Sequence, residues 1–343
     1  MINKQFTRCV NGSTLIHWLK GATLIMLASL ISPLSAEIQI TDSHGKYRFA
    51  EPPKRIVALN WTLAEQMLEL GETPIGMADI AGFRIHAKLP IIPETVIDVG
   101  QRLSPNLSAI RQLKPDIILI GYSQRSLLRP LSNIATVIYF KNFGKRYNNL
   151  EKSRERFLEM AKLFDKTKFA ENKLRERDEQ LAQLRTELTN VFPEGNLPTL
   201  QFTIPQNEVD AEKDKTIWIF GKNSLPLHAA QQLGLEVITP EETSQFGTAQ
   251  ISSADLKELR DVQGTNGLTV CQVYLSSYQT SKKPTGNTKP QEGCSFELDY
   301  QNAFGGAMSI LYLGESIKKA LKDSSNDQQH RVSNKQVGQS LVE

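Results

Sequence analysis

Five short apolar runs alternate with amphipathic stretches between residues 55 and 140, and this alternation is the strongest constraint on the fold. Runs that are apolar on both faces are typical of parallel sheets covered by helices on both sides. The sequence therefore predicts a parallel α/β lobe, with the strands RIVALN (55–60), PIGMAD (74–79), VIDVG (96–100), IILIGY (117–122) and TVIYF (136–140).

Two of the connecting stretches carry helix-capping signals. In TLAEQMLELG, Thr62 and Glu65 have the spacing of a capping box, and Gly71 provides a stop. In NLSAIRQLKPD, Asn106 is a favoured N-cap residue, and the helix is expected to end before Pro115. Short helices are therefore expected to connect the strands.

The stretch 149–192 has apolar residues at helical spacing amid dense charge, with no glycine or proline. It predicts either one helix, about 60 Å long if unbroken, or two helices in series. A coiled-coil dimer would need a continuous heptad register, and the stripe loses its register between Phe164 and Leu174. The pattern therefore favours a helix that lies across two lobes.

A second α/β pattern begins after Pro198. The predicted strands cover 199–204, 215–221, 235–238 and 268–275, and the predicted helices cover 223–233 and 253–259. A short strand, a loop and a closing helix follow. The sequence thus predicts two Rossmann-like lobes, 37–148 and 193–322, joined by the helical span 149–192. The tail 323–343 has almost no apolar content and is predicted to be disordered.

Residues 1–36 have the pattern of a secretory signal peptide. An apolar run, ATLIMLASLI (22–31), is followed by SPLSA, which offers Ala36 as the small residue before a cleavage site. The basic residues ahead of the run are Lys4, Arg8 and Lys20. The mature chain is expected to begin near Glu37 and to be soluble in a periplasm-like compartment. The alternative is an uncleaved anchor, although the run is short for a membrane span.

The formal net charge of +3 comes entirely from those three basic residues, so the mature chain would be neutral. A nucleic-acid-binding protein needs a basic face. The composition therefore argues against nucleic acid as a partner, and the length suits two domains.

Two cysteines, Cys271 and Cys294, follow the predicted signal. In an oxidising compartment they could close the polar loop 277–293 with a disulfide, which would contribute about 3 kcal/mol on loop-entropy grounds. Because Cys271 lies inside the run LTVCQVYL, it could equally be a buried thiol in a strand. The residues alone leave both alternatives open.

Three polar or aromatic side chains follow strands of the first lobe. Arg102 comes just after VIDVG, Tyr122 closes IILIGY, and Trp61 follows RIVALN. Ligands of open α/β sheets lie beyond the carboxyl ends of the strands, so these side chains are expected to face one cleft. A guanidinium and a phenol would donate hydrogen bonds there, and an indole would form an apolar wall. The alternative is that Arg102 pairs with a surface carboxylate and Tyr122 fills a loop.

Signatures of catalysis and of a resident metal are missing from the sequence. It has no G-x-S-x-G, no Walker lysine loop and no H-E-x-x-H. Outside the predicted signal and tail, the histidines are scattered at His44, His86 and His228. The sequence therefore predicts no enzyme, no cofactor and no metal site made by converging side chains.

A family resemblance is carried by two segments, PPKRIVALNWTLAEQMLELGETPIGMAD and VIDVGQRLSPNLSAIRQLKPDIILIGY. They resemble the periplasmic substrate-binding proteins of iron–siderophore ABC importers, and most of all the ferric-hydroxamate-binding subgroup. The resemblance is strong over 52–140 and weaker over 199–318. It implies the class III fold of two α/β lobes bridged by a long helix. It also implies a periplasmic monomer that delivers an iron(III)–siderophore to the permease of an importer.

The resemblance also implies roles for individual residues. By motif position, Arg102 and Tyr122 would donate hydrogen bonds to the hydroxamate oxygens that coordinate iron. Phe246 and Phe304 stand where the family packs aromatic side chains, often tryptophan, on the ligand. His86 stands at the position of another tryptophan and would lie at the pocket rim.

Members of this family dock to the permease through a surface carboxylate on each lobe. In the C-terminal lobe, Asp255 lies close to the matching position, although a carboxylate near a helix start can equally be favoured by the helix dipole. In the N-terminal lobe, Ser108 replaces the acid. Either Asp98 or Glu94 would substitute for it, or this lobe would dock without a salt bridge.

Two alternatives to a hydroxamate binder stay open at this stage. One is a binding protein for another chelate, such as a catecholate, citrate, haem or vitamin B12. The other is an enzyme that uses the same cleft, for example a cobalamin- or haem-linked oxidoreductase. Several basic residues in the cleft would favour catecholate or citrate, and an acid–base pair would favour an enzyme.

Overall fold

The computed structural model describes residues 37–146, 148–192, 197–204, 216–263, 269–275, 294–299 and 302–339. The predicted signal at 1–36 and the loop at 277–293 lie outside these residues. Among the residues described, no helix combines the length and the apolar content needed to cross a membrane.

The N-terminal lobe begins with an antiparallel hairpin of β1 (Ile38–Thr41) and β2 (Lys46–Phe49). A five-stranded, fully parallel sheet follows, with a small hairpin inserted after its third strand. The elements are β3 (Ile56–Ala58), β4 (Gly76–Met77), β5 (Ile97–Asp98), the hairpin strands β6 (Gly100–Gln101) and β7 (Ser104–Pro105), β8 (Ile117–Ile120) and β9 (Thr136–Tyr139). The spatial order is β5-β4-β3-β8-β9. The five sheet strands fall on the five predicted runs, so the predicted parallel lobe is confirmed.

Four short helices connect these strands: α1 (Trp61–Glu69), α2 (Ile80–His86), α3 (Leu107–Gln112) and α4 (Leu128–Ser132). The predicted cap Asn106 accepts a hydrogen bond from the backbone N–H of Ala109 at 3.0 Å. The capping box predicted for α1 is wrong, because Asn60 caps this helix by accepting from Leu63 N at 3.3 Å. Thr62 and Glu65 instead face the other lobe.

Two helices in series bridge the lobes, which is one of the two arrangements that the sequence left open. They are α5 (Asn149–Leu163) and α6 (Thr167–Val191). Between them Asp165 adopts a left-handed conformation with φ of 54°, which ends the first helix. The apolar residues of α5 and α6 are buried against the rest of the chain. These helices therefore do not need a coiled-coil partner to bury their apolar faces.

The C-terminal lobe contains a five-stranded mixed sheet. Its elements are β10 (Thr199–Ile204), β11 (Thr216–Phe220), α7 (Leu225–Gln232), β12 (Thr248–Ser252), α8 (Ser253–Gln263), β13 (Val270–Tyr274), β14 (Cys294–Glu297) and α9 (Ser309–Gln339). The order is β12-β11-β10-β13-β14, with β11 antiparallel to both of its neighbours. The strand predicted at 235–238 is wrong, since this segment contributes a single bridge between Val237 and Leu200.

The final helix, α9, extends through Gln339 and so differs from the disordered tail predicted at 323–343. Its first half is anchored, because Leu313, Ile317 and Leu321 are buried against the rest of the chain. No proline interrupts the segment that follows. Helical hydrogen bonding therefore meets no proline between Leu321 and Gln339.

One hydrophobic core joins both lobes to the bridging helices. Phe157 of α5 and Leu181 of α6 belong to the same buried cluster as Leu119 of β8 and Phe202 of β10. The two α/β lobes bridged by helices are therefore confirmed as a single packed unit.

Cys271 and Cys294 form a disulfide, with their Cα atoms 4.5 Å apart. They face each other directly on the neighbouring parallel strands β13 and β14. The sequence left open a disulfide or a buried thiol, and the structure has the disulfide. Both cysteines are also buried in strands.

Candidate functional site

A cleft of about 250 Å³ lies between the lobes, beyond the carboxyl ends of the N-terminal parallel strands. The N-terminal lobe lines it with residues that directly follow β3, β8 and β9 or lie in the β6–β7 hairpin. These residues are Asn60, Trp61, Thr62, Arg102, Gly121, Tyr122, Ser123, Asn142 and Phe143, and the C-terminal lobe adds Phe246, Asn302 and Phe304. Five of the six predicted ligand-binding residues therefore meet in one cleft, and the sixth, His86, does not line it.

Arg102 sits in the β6–β7 hairpin with its guanidinium 3.8 Å above the centre of the Trp61 ring. Its Nε donates a hydrogen bond to Asp79 Oδ2 at 3.2 Å. The stacked ring and the carboxylate fix the plane of the guanidinium. The sequence analysis gave pairing of Arg102 with a surface carboxylate as the alternative. Arg102 does pair with a carboxylate, that of Asp79, but this pair lies in the wall of the cleft.

The turn that carries Asp79 is tightly built. Asp79 adopts φ of 56° and caps α2 by accepting from Gly82 N at 3.3 Å. A Cβ on Gly82 would lie 2.6 Å from Asp79 Oδ1 and 2.8 Å from the Trp61 ring, so only glycine fits. Asp98 braces the same turn, accepting from Ile80 N at 2.9 Å and Gly100 N at 2.8 Å. The position of Arg102 therefore follows from local backbone geometry.

Trp61 forms the floor beneath Arg102 and is only 4% exposed. Its Nε1 donates to Ala78 O at 3.1 Å, and its ring meets Phe83 edge to face. His86 stacks behind Trp61 at 6.3 Å between ring centres and is buried. Burial lowers the pKa of His86, and nearby Arg102 lowers it further, which favours the neutral imidazole. The predicted rim position of His86 is wrong, because this last residue of α2 faces inward.

Tyr122 begins a 3₁₀ turn, Tyr122–Leu127, directly after β8 and is 40% exposed. Lys141 Nζ lies 5.7 Å from the centre of its ring. The turn is held by buried Gln124, whose side-chain oxygen accepts from Gly121 N at 3.1 Å. Tyr122 therefore stands at the open side of the cleft rather than in the core.

Three phenylalanines form the opposite, apolar wall. Phe143 lies 5.5 Å from Phe246 and 6.2 Å from Phe304 between ring centres, and Phe246 lies 6.0 Å from Phe304. We call Phe143, Phe246 and Phe304 the aromatic wall. Phe143 was not predicted from the sequence, although it comes shortly after the end of β9 and the same strand-end rule could have found it.

The aromatic wall is held across the lobe interface by residues of α1. Thr62 Oγ1 donates to the backbone oxygen of Phe304 at 2.7 Å. Glu65 is fully buried and accepts from Asn302 Nδ2 at 2.9 Å, from Gly306 N at 3.1 Å and from Ser309 Oγ. Burial raises the pKa of Glu65 to about 8, although the three donors lower it.

A second polar contact fastens the loop that carries Phe143 to the loop that carries Phe246. The buried Asn149 side chain donates to Asn223 O at 2.8 Å and to Gln245 O at 3.0 Å, and it accepts from Gly144 N at 3.0 Å. The contacts of Asn149 with Asn223 and with Gln245 cross the lobe interface. The cleft walls are therefore held in place before any ligand arrives.

The charge of the cleft is small. Among the described residues that line it, Arg102 is the only charged one, and Asp79 partly neutralises it. No group of three or more His, Cys, Asp or Glu side chains in the described part of the chain could hold a metal ion. The cleft thus offers hydrogen-bond donors, one positive charge and aromatic surface.

The predicted docking carboxylates do not line the cleft. Asp255 is exposed in the first turn of α8 and forms a reciprocal capping pair with Ser252, in which each side chain accepts from the other's backbone N–H at 3.2 and 3.1 Å. In the N-terminal lobe, Asp98 is engaged with the backbone as described above. Glu94 is highly exposed and pairs with Arg84 at 2.9 Å. Asp98 is thus held by backbone groups, whereas Glu94 pairs with a side chain.

Comparison with known proteins gives a consistent result. The family model described as periplasmic binding protein matches residues 56–263. The "Iron(3+)-hydroxamate-binding protein FhuD" of Escherichia coli (strain K12) is 28% identical over 244 residues, which cover 71% of this chain and 79% of that protein. The "Fe(3+)-citrate-binding protein YfmC" of Bacillus subtilis (strain 168) is 31% identical over 150 residues, 43% of this chain and 47% of that protein.

Among solved structures, the Fe3+–Desferal-bound siderophore binding protein FhuD from Vibrio cholerae matches with a TM-score of 0.69 and 28% identity. The match covers 79% of this chain and 98% of that one. Two α/β lobes and the bridge between them are therefore shared over nearly the whole of that structure.

Proposed function

The chain belongs to the periplasmic binding protein family, and within it we propose that this protein captures an iron(III)–siderophore of the hydroxamate type and delivers it to an ABC importer. The family and its relatives bind ligands for transport, and we assign no catalytic role to the cleft. The ligand is the iron complex itself, and we infer no further cofactor.

The observation that carries the hydroxamate assignment is the charge of the cleft. A ferric trihydroxamate is coordinatively full, so a binding protein recognises its outer oxygens and supplies no metal ligands. Its iron(III) charge is balanced by three hydroxamates, whereas ferric catecholates and citrates carry net negative charge. One guanidinium, already paired with Asp79, suits the less charged complex.

The remaining walls of the cleft suit the apolar linkers that join the hydroxamate groups of such a ligand. The aromatic wall covers apolar linkers, Trp61 supports Arg102 from below, and Arg102 and Tyr122 give donors to the oxygens around iron. The hydroxamate named for the Escherichia coli relative and the Fe3+–Desferal named for the Vibrio cholerae relative support this choice. The citrate ligand named for the Bacillus subtilis relative makes ferric citrate the second candidate.

Location and partners follow from the same proposal. The signal-like segment 1–36 supports export to the periplasm, and the protein would act there as a monomer. Contact with the inner membrane would be only through the permease. Asp255 would dock to that permease, since it is exposed and does not line the cleft.

Fluorescence titration tests the proposal. The chain has three tryptophans: Trp18 in the predicted signal, Trp61 in the cleft, and Trp218, which is 38% exposed on β11. In the mature protein carrying Trp218→Phe, Trp61 is the only reporter, and we expect saturable quenching by ferrioxamine B. Ferric citrate and a ferric tris-catecholate should bind at least 100-fold more weakly.

The matched control is Trp61→Phe, which retains Trp218 and should show far less quenching. Tighter binding of ferric citrate than of ferrioxamine B would replace the hydroxamate assignment with the second candidate. Absence of saturation with all three chelates would overturn the proposal as a whole.

A further inference from the structure

The cleft is too small to enclose the ligand that it is proposed to bind. Its volume is about 250 Å³, whereas sites that bury most of a drug-sized ligand measure roughly 300–1,000 Å³. A ferric trihydroxamate is of drug size or larger, so part of it projects from the cleft. The lining residues Tyr122 and Ser123 are exposed, whereas Trp61 and Asn142 are buried. We call the side of the cleft at Tyr122 and Ser123 the exit, because the projecting part leaves there.

The 3₁₀ turn that begins with Tyr122 places a positive charge beside the exit. A 3₁₀ helix has three residues per turn, so side chains three positions apart lie on the same face. Arg125 comes three residues after Tyr122 in the turn Tyr122–Leu127, and it is exposed. Unlike Arg102, which pairs with Asp79, Arg125 has no ion pair with a described residue. Its charge is therefore accessible on the face that Tyr122 presents.

The segment after β9 supplies a second positive charge. Lys141 Nζ lies 5.7 Å from the centre of the Tyr122 ring. The backbone N–H of Lys141 donates to Ser43 Oγ at 2.7 Å, which fixes the point where the side chain begins. Lys141 and Arg125 thus approach Tyr122 from two separate elements, and neither lines the cleft itself. The iron-binding part of the cleft stays weakly charged, and the positive charge lies at the exit.

Tyr139, the last residue of β9, responds to the same group of side chains. Burial raises the pKa of its phenol, the charge of Arg125 lowers this pKa, and Tyr122 raises it. A carboxylate, that of Asp42, also faces Tyr139, but it is 5% exposed and accepts from three backbone N–H groups at 2.6 to 2.9 Å. The charge of Asp42 is therefore already engaged by backbone donors, whereas Arg125 is exposed to an incoming anion.

We propose that Arg125 and Lys141 form a subsite for a carboxylate on the tail of the bound chelate, outside the iron-binding cleft. This rests on the proposed function and deepens it by naming the ligand class. The class is a ferric trihydroxamate whose projecting tail ends in an anionic group. Arginine and lysine donate charge-assisted hydrogen bonds to a carboxylate. A tail that ends in an ammonium group would be repelled by both side chains.

Three probes that share one iron centre test this subsite by fluorescence titration. The tail of ferrioxamine B ends in an ammonium group, that of its N-acetyl derivative is neutral, and that of its N-succinyl derivative ends in a carboxylate. Wild type should bind the succinyl derivative about 5- to 30-fold more tightly than ferrioxamine B, with the acetyl derivative between them, since several exposed charge contacts change sign. At about 0.5 M salt the preference should fall to about 2-fold, because exposed charges are then screened.

Arg125→Gln and Lys141→Gln each remove one charge and keep a polar side chain. Each should reduce the preference for the succinyl derivative about 2- to 5-fold, and the double variant should remove most of it. The matched control is Arg111→Gln, which removes the same charge from an exposed position on α3 and should leave the preference unchanged.

Three outcomes overturn the inference. Equal affinity of wild type for the three probes would mean that no anion subsite exists, and a preference that the double variant retains would place it elsewhere. Equal weakening of all three probes in the variants would mean that Arg125 and Lys141 only support Tyr122. In each case saturable binding of the acetyl derivative by wild type leaves the proposed function intact. If wild type binds none of the probes, the proposed function and this inference fall together.

Discussion

The two walls of the cleft are assembled in different ways. On the polar wall, Arg102 is held by Asp79 and Trp61, which lie 23 and 41 residues away in the same lobe. On the aromatic wall, Phe304 is held by Thr62, 242 residues away, and its loop is held by Glu65 through contacts that span up to 244 residues. The first wall is a product of one sheet edge, and the second exists only when both lobes are packed together.

Because of this difference, we expect substitutions in the two walls to have different effects, one on ligand affinity and the other on stability. Damage to the polar wall should reduce ligand affinity while leaving the fold intact, because its bonds are local and lie at strand ends. Damage to the contacts behind the aromatic wall should reduce stability first, because those groups are buried between lobes. The following predictions test that separation.

The largest expected effect concerns Glu65 and pH. Its pKa is raised by burial from 4.5 to about 8, so the folded state takes up a proton that the unfolded state has lost in this range. This contribution to stability is fully present below about pH 4.5 and is lost as pH rises towards 8. Wild type should therefore lose about 1 kcal/mol of unfolding free energy per pH unit from this group.

Denaturant unfolding from pH 5 to 8.5 checks this, with Glu65→Gln as the comparison. The glutamine variant should show a flatter profile, since it does not titrate. Other ionisable groups face this region, namely Glu69 with its partners Lys173 and Tyr312, and they remain in both proteins. Parallel profiles for the two proteins would show that Glu65 does not titrate in this range.

Arg102→Ala should weaken ferrioxamine B binding about 10- to 100-fold, because a charge-assisted hydrogen bond in a partly desolvated cleft is worth about 1.5–3 kcal/mol. The melting temperature should change little, as expected for the polar wall. Fluorescence titration and thermal unfolding measure both. The matched control is Arg84→Ala, which removes an exposed arginine of the same lobe that pairs with Glu94. Equal affinity of Arg102→Ala and wild type would remove Arg102 from the site.

Tyr122→Phe isolates the phenolic hydroxyl and keeps the ring. We expect a loss of about 1 kcal/mol in binding free energy, the size of one neutral hydrogen bond, with unchanged stability. Tyr122→Ala is the companion variant, because it also removes the ring next to Lys141. If only the alanine variant binds more weakly, the ring packs against the ligand and the hydrogen bond does not exist.

The smallest effect on binding is expected at Asp255, which belongs to neither wall. Asp255→Asn keeps an acceptor for the Ser252 N–H but removes the charge, so it separates capping from docking. We expect unchanged chelate affinity and stability but impaired iron uptake in cells that rely on this protein. Glu258→Ala, an exposed acid on the same helix, is the control. Normal uptake by Asp255→Asn would leave this residue with a capping role only.

The sequence predicted most of the N-terminal lobe, and the reason is local. Its five strands are apolar on both faces, and Arg102, Tyr122 and Trp61 follow three of those runs or lie within a few residues of them. A parallel sheet brings all carboxyl strand ends to one edge, so chain order alone places these side chains together. Phe246 and Phe304 were predicted from the resemblance to the family and not from strand ends.

Short-range patterns gave wrong answers where a side chain has a distant partner. Thr62 and Glu65 have capping-box spacing, yet they bind Phe304, Asn302 and the start of α9. For Thr62 and Glu65, contacts with the other lobe override a local capping preference that is worth about 1 kcal/mol. His86 was predicted at the rim from the family resemblance and is buried behind Trp61, because the packing of α2 decides which way its last residue points.

What the sequence by itself determined is therefore the strand-end chemistry: a parallel lobe, its polar cleft edge and the helical bridge between two lobes. What only the tertiary structure decided is the other half of the cleft. It joined the aromatic wall through Glu65 and Asn149, and it selected the disulfide between paired strands. Strand ends follow from a periodicity of a few residues, whereas contacts between residues 23 to 241 positions apart depend on how the whole chain packs, which no local pattern records.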